Sequence, residues 1–437
     1  MRPRGLLIAA PRSGSGKTTL TLGLMRAFRR EGLKVAGAKS GPDYIDPAFH
    51  AAALGRPSLN LDSWAMPPDL LGALAARAAD DSELLLVEAS MGLFDGVPAE
   101  PGRSGASADV AAALGLPVLL ALDVSGQAQS AGAIVKGCAL FDPRVRIAGV
   151  VLNKVGSARH LRLVTDAIEP LGIPVVGALP KAADVVLPER HLGLVQASET
   201  RGLEERLDAM ARFVAEHADL PAILALAAPL RPPIGAASAA LKPPGQNIAV
   251  ARDEAFSFLY PHLLEGWREK GAEIRFFSPL NDEPPPEDVD VCWLPGGYPE
   301  LHAGRLASNR NFLEGLRRLA TSRRVHGECG GYMTLGAALT DAAGVTHAMA
   351  GLLSVETSFA KRRMTLGYRD VTLLSDGALG RVGDRLRGHE FHYASILATG
   401  GDEPFAMAAD AYGSAAAPSG SRRGAVTGSF FHVIAAA

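Results

Sequence analysis

Two short stretches of this chain combine residue types at spacings that suit chemistry. The first is Ala10-Pro11-Arg12-Ser13-Gly14-Ser15-Gly16-Lys17-Thr18-Thr19. Small residues followed by Gly-Lys-Thr make a loop whose backbone N–H groups wrap a polyphosphate, with Lys17 on the terminal phosphates and Thr18 placed to hold Mg²⁺. Ser13, Gly14, Ser15, Gly16 and Thr19 complete the expected nucleotide contacts. Pro11 stands where the usual pattern has its first glycine, so that corner must be tight without donating an N–H. The second stretch is Gly327-Glu328-Cys329-Gly330-Gly331. A cysteine between glycines at a strand-to-helix junction has the geometry of a nucleophile elbow. The helix N-terminus behind it is expected to lower the thiol pKa from about 8.5 toward neutrality. The N–H groups of Gly297, in Pro295-Gly296-Gly297-Tyr298-Pro299-Glu300, and of Gly330 are oxyanion-hole candidates. His389 or His392, in Gly388–Tyr393, or His432 can supply the base, and spacing does not choose among them.

The elements that must position these residues alternate strand and helix. Gly5–Ala9 reads as a buried strand feeding the loop, and Leu20, Leu22, Leu24, Met25 and Phe28 mark the inner face of the helix after it. A second strand, Leu33–Lys39, exits into Ser40-Gly41-Pro42-Asp43-Tyr44-Ile45-Asp46-Pro47, which puts Lys39, Asp43 and Asp46 at a carboxyl strand end. Open α/β sheets bind ligands there. A third, Leu84–Val87, ends in Glu88, a candidate for Mg²⁺ binding or water orientation, and opens into a loop carrying Asp95. Asp43, Asp46 and Asp95 suit turns as well as chemistry. Further strands are expected at 117–123, 147–154 and 174–178, with a helix over 126–140. Asn153, at a strand end, presents an amide able to read a nucleobase edge. Arg190 and His191 suit an anionic substrate, while His50, His160, His302 and His326 read as structural.

The pattern indicates a doubly wound, mostly parallel α/β sheet over residues 1–225. A Pro/Ala/Gly-rich linker is expected over 226–246, and a second α/β domain over 247–437, opening with strand 248–251 and helix 256–270. At 437 residues, 48% hydrophobic and 21% charged, the chain has material for two packed cores. A formal net charge of −2 offers no electrostatic case for nucleic acid or an acidic membrane. Apolar runs fall short of transmembrane length, and three cysteines at these spacings make neither a disulfide framework nor a zinc site. A reducing, cytoplasmic setting is expected.

The C-terminal half resembles class I glutamine amidotransferase domains of the corrinoid branch, through Leu294–Glu300, Gly327–Gly331 and Gly428-Ser429-Phe430-Phe431-His432. That likeness assigns Cys329 as nucleophile and His432 as base. Such domains carry a glutamate two residues after the histidine; Ile434 stands there, which points to a Cys-His dyad. The N-terminal half resembles dethiobiotin synthetase and its relatives, which activate a carboxylate with ATP. By that likeness Lys17, Thr18, Lys39 and Glu88 meet phosphates and Mg²⁺, and Asn153 meets adenine. With Gly41–Pro47, Glu88–Gly96 and Arg190–Gly193, the whole chain resembles the cobyrinic and hydrogenobyrinic acid a,c-diamide synthases. The resemblance implies activation by Asp43, Glu88 and Asp95, metal contacts from Thr18, Asp43 and Glu88, and substrate contacts from Tyr44, Asp46, Arg190 and His191. It also implies ATP, glutamine and a corrin-type macrocycle as small-molecule partners, and a homodimer. Related tetrapyrrole amidotransferases share these features; partitioning-type switch ATPases share only the phosphate loop.

Overall fold

The computed structural model describes residues 3–182, 185, 187, 196–232 and 240–437, with backbone alone for 189–190 and 193–194. The chain divides into two compact units, Met1–Ser238 and Ala239–Ala437.

In the first unit the apolar runs become strands buried on both faces, as a parallel sheet covered by helices requires. They are β1 (Arg4–Ala9), β2 (Val35–Ser40), β3 (Leu59–Leu61), β4 (Leu84–Glu88), β5 (Val118–Asp123), β6 (Ile147–Val155) and β7 (Val175–Pro180). Their order is β3-β2-β4-β1-β5-β6-β7, all parallel. From β1 the chain winds to one side through β2, β3 and β4, then passes to the other side at β5. The crevice of this reversal opens at the carboxyl end of β1, where the phosphate loop begins. Helix α1 (Lys17–Arg30) packs Leu20, Leu24 and Phe28 into the core with Met210 and Val214 of the helix Leu203–His217. The contact is close: a Cβ on Gly23 would lie 2.4 Å from Val214 Cγ2. Helix α2 (Asp46–Leu54) follows the loop after β2.

Two expectations shift here. The three-residue strand β3 lacked a sequence signal. The linker expected from 226 begins later, because Ala228–Pro229 pairs antiparallel with Arg4 and Gly5 of β1.

The second unit carries a sheet ordered Glu273–Phe277, Asn247–Ala251, Val291–Leu294, Arg324–Glu328, Val426–Ser429 and Ser421–Arg423, parallel except at the last pair. The helix expected over 256–270 spans only Pro261–Glu269. Pro261 fixes the first helical position and disfavours helix in the residue before it, and Phe258 instead bridges to Gly296. An antiparallel sheet of five strands stands beside the parallel one, including Thr365–Leu373, Arg385–His392 and Phe431–Ala436. The chain leaves the first sheet at Ser429 and enters the second at Phe431, so His432 is presented next to the corner.

Candidate active site

In the first unit the loop after β1 turns through Gly14 (φ 73°) and Gly16 (φ 91°), left-handed conformations that glycine adopts without strain. A Cβ on Gly16 would lie 2.3 Å from Asn153 Nδ2. That amide braces the loop: Nδ2 donates to the Ser15 carbonyl at 2.9 Å, and Oδ1 accepts the Lys154 N–H at 2.9 Å. Asn153, expected at the adenine, thus lies against the phosphate loop. Lys17 folds over the loop and donates to the Met91 carbonyl at 2.6 Å. Burial, and next the charge of Lys39, lower its pKa to about 8.

Behind the loop lies a buried polar cluster. Thr18 Oγ1 donates to Glu88 Oε1 at 2.7 Å, and Lys39 Nζ reaches Glu88 Oε1 at 3.1 Å and Asp46 Oδ2 at 2.5 Å. Side-chain exposures of 4% for Lys39, 0% for Glu88 and 11% for Asp46 put all three charges out of bulk water. One ammonium cannot neutralise two carboxylates. Glu88, although burial opposes its charge, is held below the carboxylate range by Lys39 and by hydrogen bonds from His50 and Thr18. Asp46 is pushed up by burial and by Asp43.

The remaining acids take other parts. Asp46, expected at the substrate, pairs with Lys39. Asp43 Oδ1 accepts the N–H groups of Ile45 (2.7 Å) and Asp46 (3.1 Å) and so shapes the entry to α2. Asp95 accepts the Gly92 N–H at 2.8 Å and stabilises its turn. Tyr44 is half-buried in the loop before α2. Arg190 is described only as backbone in the strand Glu189–Arg190, and His191 lies outside the described residues. Sequence reasoning missed His50, whose Nε2 lies 2.8 Å from Glu88 Oε2. Its signal was the four-residue spacing from Asp46, which puts both on one helix face.

In the second unit Cys329 ends the strand Arg324–Glu328 and caps the helix Gly330–Leu335 with φ 46° and ψ −100°. Such a backbone costs about 1–3 kcal/mol at a non-glycine residue and marks a nucleophile elbow. The flanking glycines supply room: a Cβ on Gly331 would lie 1.9 Å from the Leu294 carbonyl oxygen. A Cβ on Gly330 would lie 3.1 Å from Gly297 N, so the two oxyanion candidates are neighbours.

Among the three histidines, His389 Nδ1 lies 3.3 Å from Tyr260 OH, and His392 Nδ1 lies 3.1 Å from the Ala394 carbonyl. His432 packs over the oxyanion turn, where a Cβ on Gly296 would meet its Cε1 at 2.4 Å, and it stacks on His389 at 5.0 Å. His432 is thus the histidine that lies against the oxyanion turn. Ile434 is buried and its carbonyl accepts from His262 Nε2 at 3.0 Å. Glu328 Oε1 accepts the Val433 N–H at 3.0 Å, tying the base's strand to the nucleophile's.

The thiol departs from expectation. Burial, then the negative charges of Glu300, Glu328 and Glu390, push Cys329 well above the ordinary thiol value, against a helix end of only six residues. Burial, with help from His389 and His392, holds His432 well below the ordinary imidazole value. Before substrate binds, the pair is a neutral thiol and a neutral base. A cavity of about 720 Å³ in this unit is lined by Tyr332, Phe430, Glu390 and His392 among others. The Phe391 carbonyl, between the last two, lies 3.9 Å from Cys329 Sγ.

Comparison with known proteins separates the same two parts. Residues 6–195 match the CobQ/CobB/MinD/ParA nucleotide binding domain, and residues 247–437 match the CobB/CobQ-like glutamine amidotransferase domain. A hydrogenobyrinate a,c-diamide synthase of Mesorhizobium japonicum is 59% identical over 437 residues, 100% of both chains. The chain belongs to the hydrogenobyrinate a,c-diamide synthase family. Proteins of the same name from Agrobacterium fabrum and Rhodobacter capsulatus are 57% and 56% identical over 435 residues. Those alignments cover 100% and 99% of this chain and 99% of each relative. Membership spans both units. Among the described residues no helix is long and apolar enough to cross a membrane.

Proposed function

We propose that this chain converts the a and c acetate carboxylates of hydrogenobyrinate to amides, using ATP and glutamine in cobalamin biosynthesis. The observation that carries this is identity of 59% along the whole length of a protein bearing that name. The two sites supply the chemistry such a conversion needs.

A carboxylate resists direct amidation because its oxygen is a poor leaving group. The loop around Lys17 binds ATP, and the carboxylate oxygen takes the γ-phosphoryl group, releasing ADP and leaving an acyl phosphate. Thr18 and Glu88 place a hydroxyl and a carboxylate oxygen 2.7 Å apart at the start of α1, an all-oxygen set that fits a hard cation. Mg²⁺ bound there with the phosphates supplies charge neutralisation. Lys17 and Lys39 add positive charge beside the transferring group.

In the second unit we place glutamine in the cavity beside Cys329. His432 takes the thiol proton as Sγ attacks the side-chain carbonyl, and the N–H groups of Gly297 and Gly330 stabilise the oxyanion. Collapse breaks the C–N bond, and His432 returns the proton to the leaving ammonia. Water then hydrolyses the thioester to glutamate and free Cys329. Ammonia must reach the acyl phosphate unprotonated, where it displaces inorganic phosphate and forms the amide. On this reading the first unit, whose sheet takes in Ala228–Pro229, is the activating domain and residues 247–437 are the glutaminase. We place the reaction in the cytoplasm, in keeping with three free cysteines and the supply of ATP and glutamine.

The test is incubation of the pure protein with Mg-ATP, glutamine and hydrogenobyrinic acid, cobyrinic acid or nickel sirohydrochlorin in separate reactions, with product masses measured. Two carboxylate-to-amide conversions on hydrogenobyrinic acid are expected. Conversion of the cobalt or nickel ring alone would overturn the substrate assignment.

A further inference from the structure

Glu88 has two oxygens, and the structure divides them. Oε1 accepts from Thr18 Oγ1 at 2.7 Å and Lys39 Nζ at 3.1 Å, on the phosphate side. Oε2 faces His50 Nε2 at 2.8 Å, and His50 Nδ1 in turn lies 3.1 Å from Ser58 Oγ. His50 and Glu88 are 0% exposed and Ser58 1%, so His50 reaches the reaction only through Glu88. Against a carboxylate oxygen, which can only accept, Nε2 is the donor to Oε2, and Nδ1 pairs with the Ser58 hydroxyl. Asp46 and His50 sit one turn apart on α2, the first against Lys39 and the second against Glu88.

We propose that His50 is a positioning residue, holding the Glu88 carboxylate plane so that Oε1 stays turned toward Thr18 and Lys39. The terminal torsion of a glutamate side chain is broad and does not fix this plane. Without the imidazole, Oε2 is a buried acceptor stripped of its donor, and rotation toward Thr18 and Lys39 relieves it. The carboxylate then no longer offers one fixed oxygen beside the loop. Histidines hydrogen-bonded behind a metal-facing carboxylate act this way, and losing such a partner costs about 10- to 100-fold in metal affinity or activity. The proposal rests on the assignment of Glu88 to the metal-bound nucleotide made above.

The test compares His50→Leu, His50→Gln and Glu88→Gln in the full chain. A fluorescent ATP analogue is titrated at varied Mg²⁺, alongside amidation driven by added ammonia. For His50→Leu the Mg²⁺ concentration giving half-maximal nucleotide binding should rise about 10- to 100-fold, with nucleotide binding in EDTA unchanged. His50→Gln keeps an N–H near the place of Nε2 and should recover most of the loss. Wild-type Mg²⁺ dependence in His50→Leu, or equal impairment of both His50 variants, would overturn the proposal. Should His50→Leu fail to fold, Ser58→Ala releases Nδ1 and should shift Mg²⁺ dependence the same way by a few-fold; no shift overturns it too. Glu88→Gln separates the levels: if it leaves Mg²⁺ dependence untouched, the Glu88 assignment itself fails. If it shifts that dependence and His50→Leu does not, only the role of His50 fails.

Discussion

Reading the Cys329 environment as a neutral thiol beside a neutral imidazole predicts how the free protein reacts with an alkylating agent as pH is varied. An ordinary thiol here titrates at 9.0, and burial together with Glu300, Glu328 and Glu390 moves Cys329 above that. The thiolate fraction at pH 7.5 is then below about 3%, and it rises about tenfold per pH unit between pH 7 and 9. Since the thiolate is the reactive form, the rate of iodoacetamide addition to the Cys329 peptide, followed by mass, should climb with that slope. Cys138 and Cys292 are also buried and thiol-raised, so peptide mapping must separate the three. A second arm uses His432→Ala. With His432 neutral before substrate binds, its removal should leave the alkylation profile in place while glutamine hydrolysis falls about 10²- to 10⁴-fold, the range for loss of a general base. An alkylation rate that levels off below pH 8 would refute the reasoning, as would a profile that His432→Ala moves to higher pH. Either result would mean that a thiolate–imidazolium pair exists in the resting protein.

Cys329→Ser should abolish glutamine-dependent amidation while keeping ammonia-dependent amidation; equal loss with both nitrogen donors would count against separate sites. Gly16→Ala forces a Cβ into a left-handed position at about 1–2 kcal/mol and displaces the Asn153 bond worth about 1 kcal/mol. Ammonia-dependent kcat/KM for ATP should therefore fall about 30- to 160-fold, with Cys329 alkylation unchanged. Lys39→Met leaves Asp46 and Glu88 buried without their cation, a loss of about 3–5 kcal/mol in the first unit. In that variant Asp46, pushed up even with Lys39 present, titrates further above its unfolded value, so the folded state holds more protons and stability falls as pH rises. Its thermal transition should recover between pH 8 and pH 6, and a transition indifferent to pH would contradict the buried-cluster reading.

What the sequence made legible was local, and what it hid was assembled from afar. The phosphate loop and the elbow are contiguous stretches whose glycines and lysine or cysteine fix their own geometry, so both were readable from spacing. The parallel strands were readable because strands buried on both faces are continuous apolar runs. The antiparallel strand Thr365–Leu373 has mostly half-buried residues and gives no such run. Partnerships across the sequence were out of reach: Glu88 meets Thr18 from 70 positions away, Lys39 from 49 and His50 from 38. Asp46 and Lys39 were both legible at a strand end, but only the fold shows the ammonium against that carboxylate. The thiol was misjudged for the same reason. A helix N-terminus is visible in sequence, whereas the carboxylates of Glu300 and Glu390 arrive from other elements and, with burial, outweigh it. Both sites therefore follow one rule. The local motif sets where the reacting atoms lie, and charges delivered by distant segments set their protonation. The second half of each site is the part that substitution of distant residues such as His50 can test.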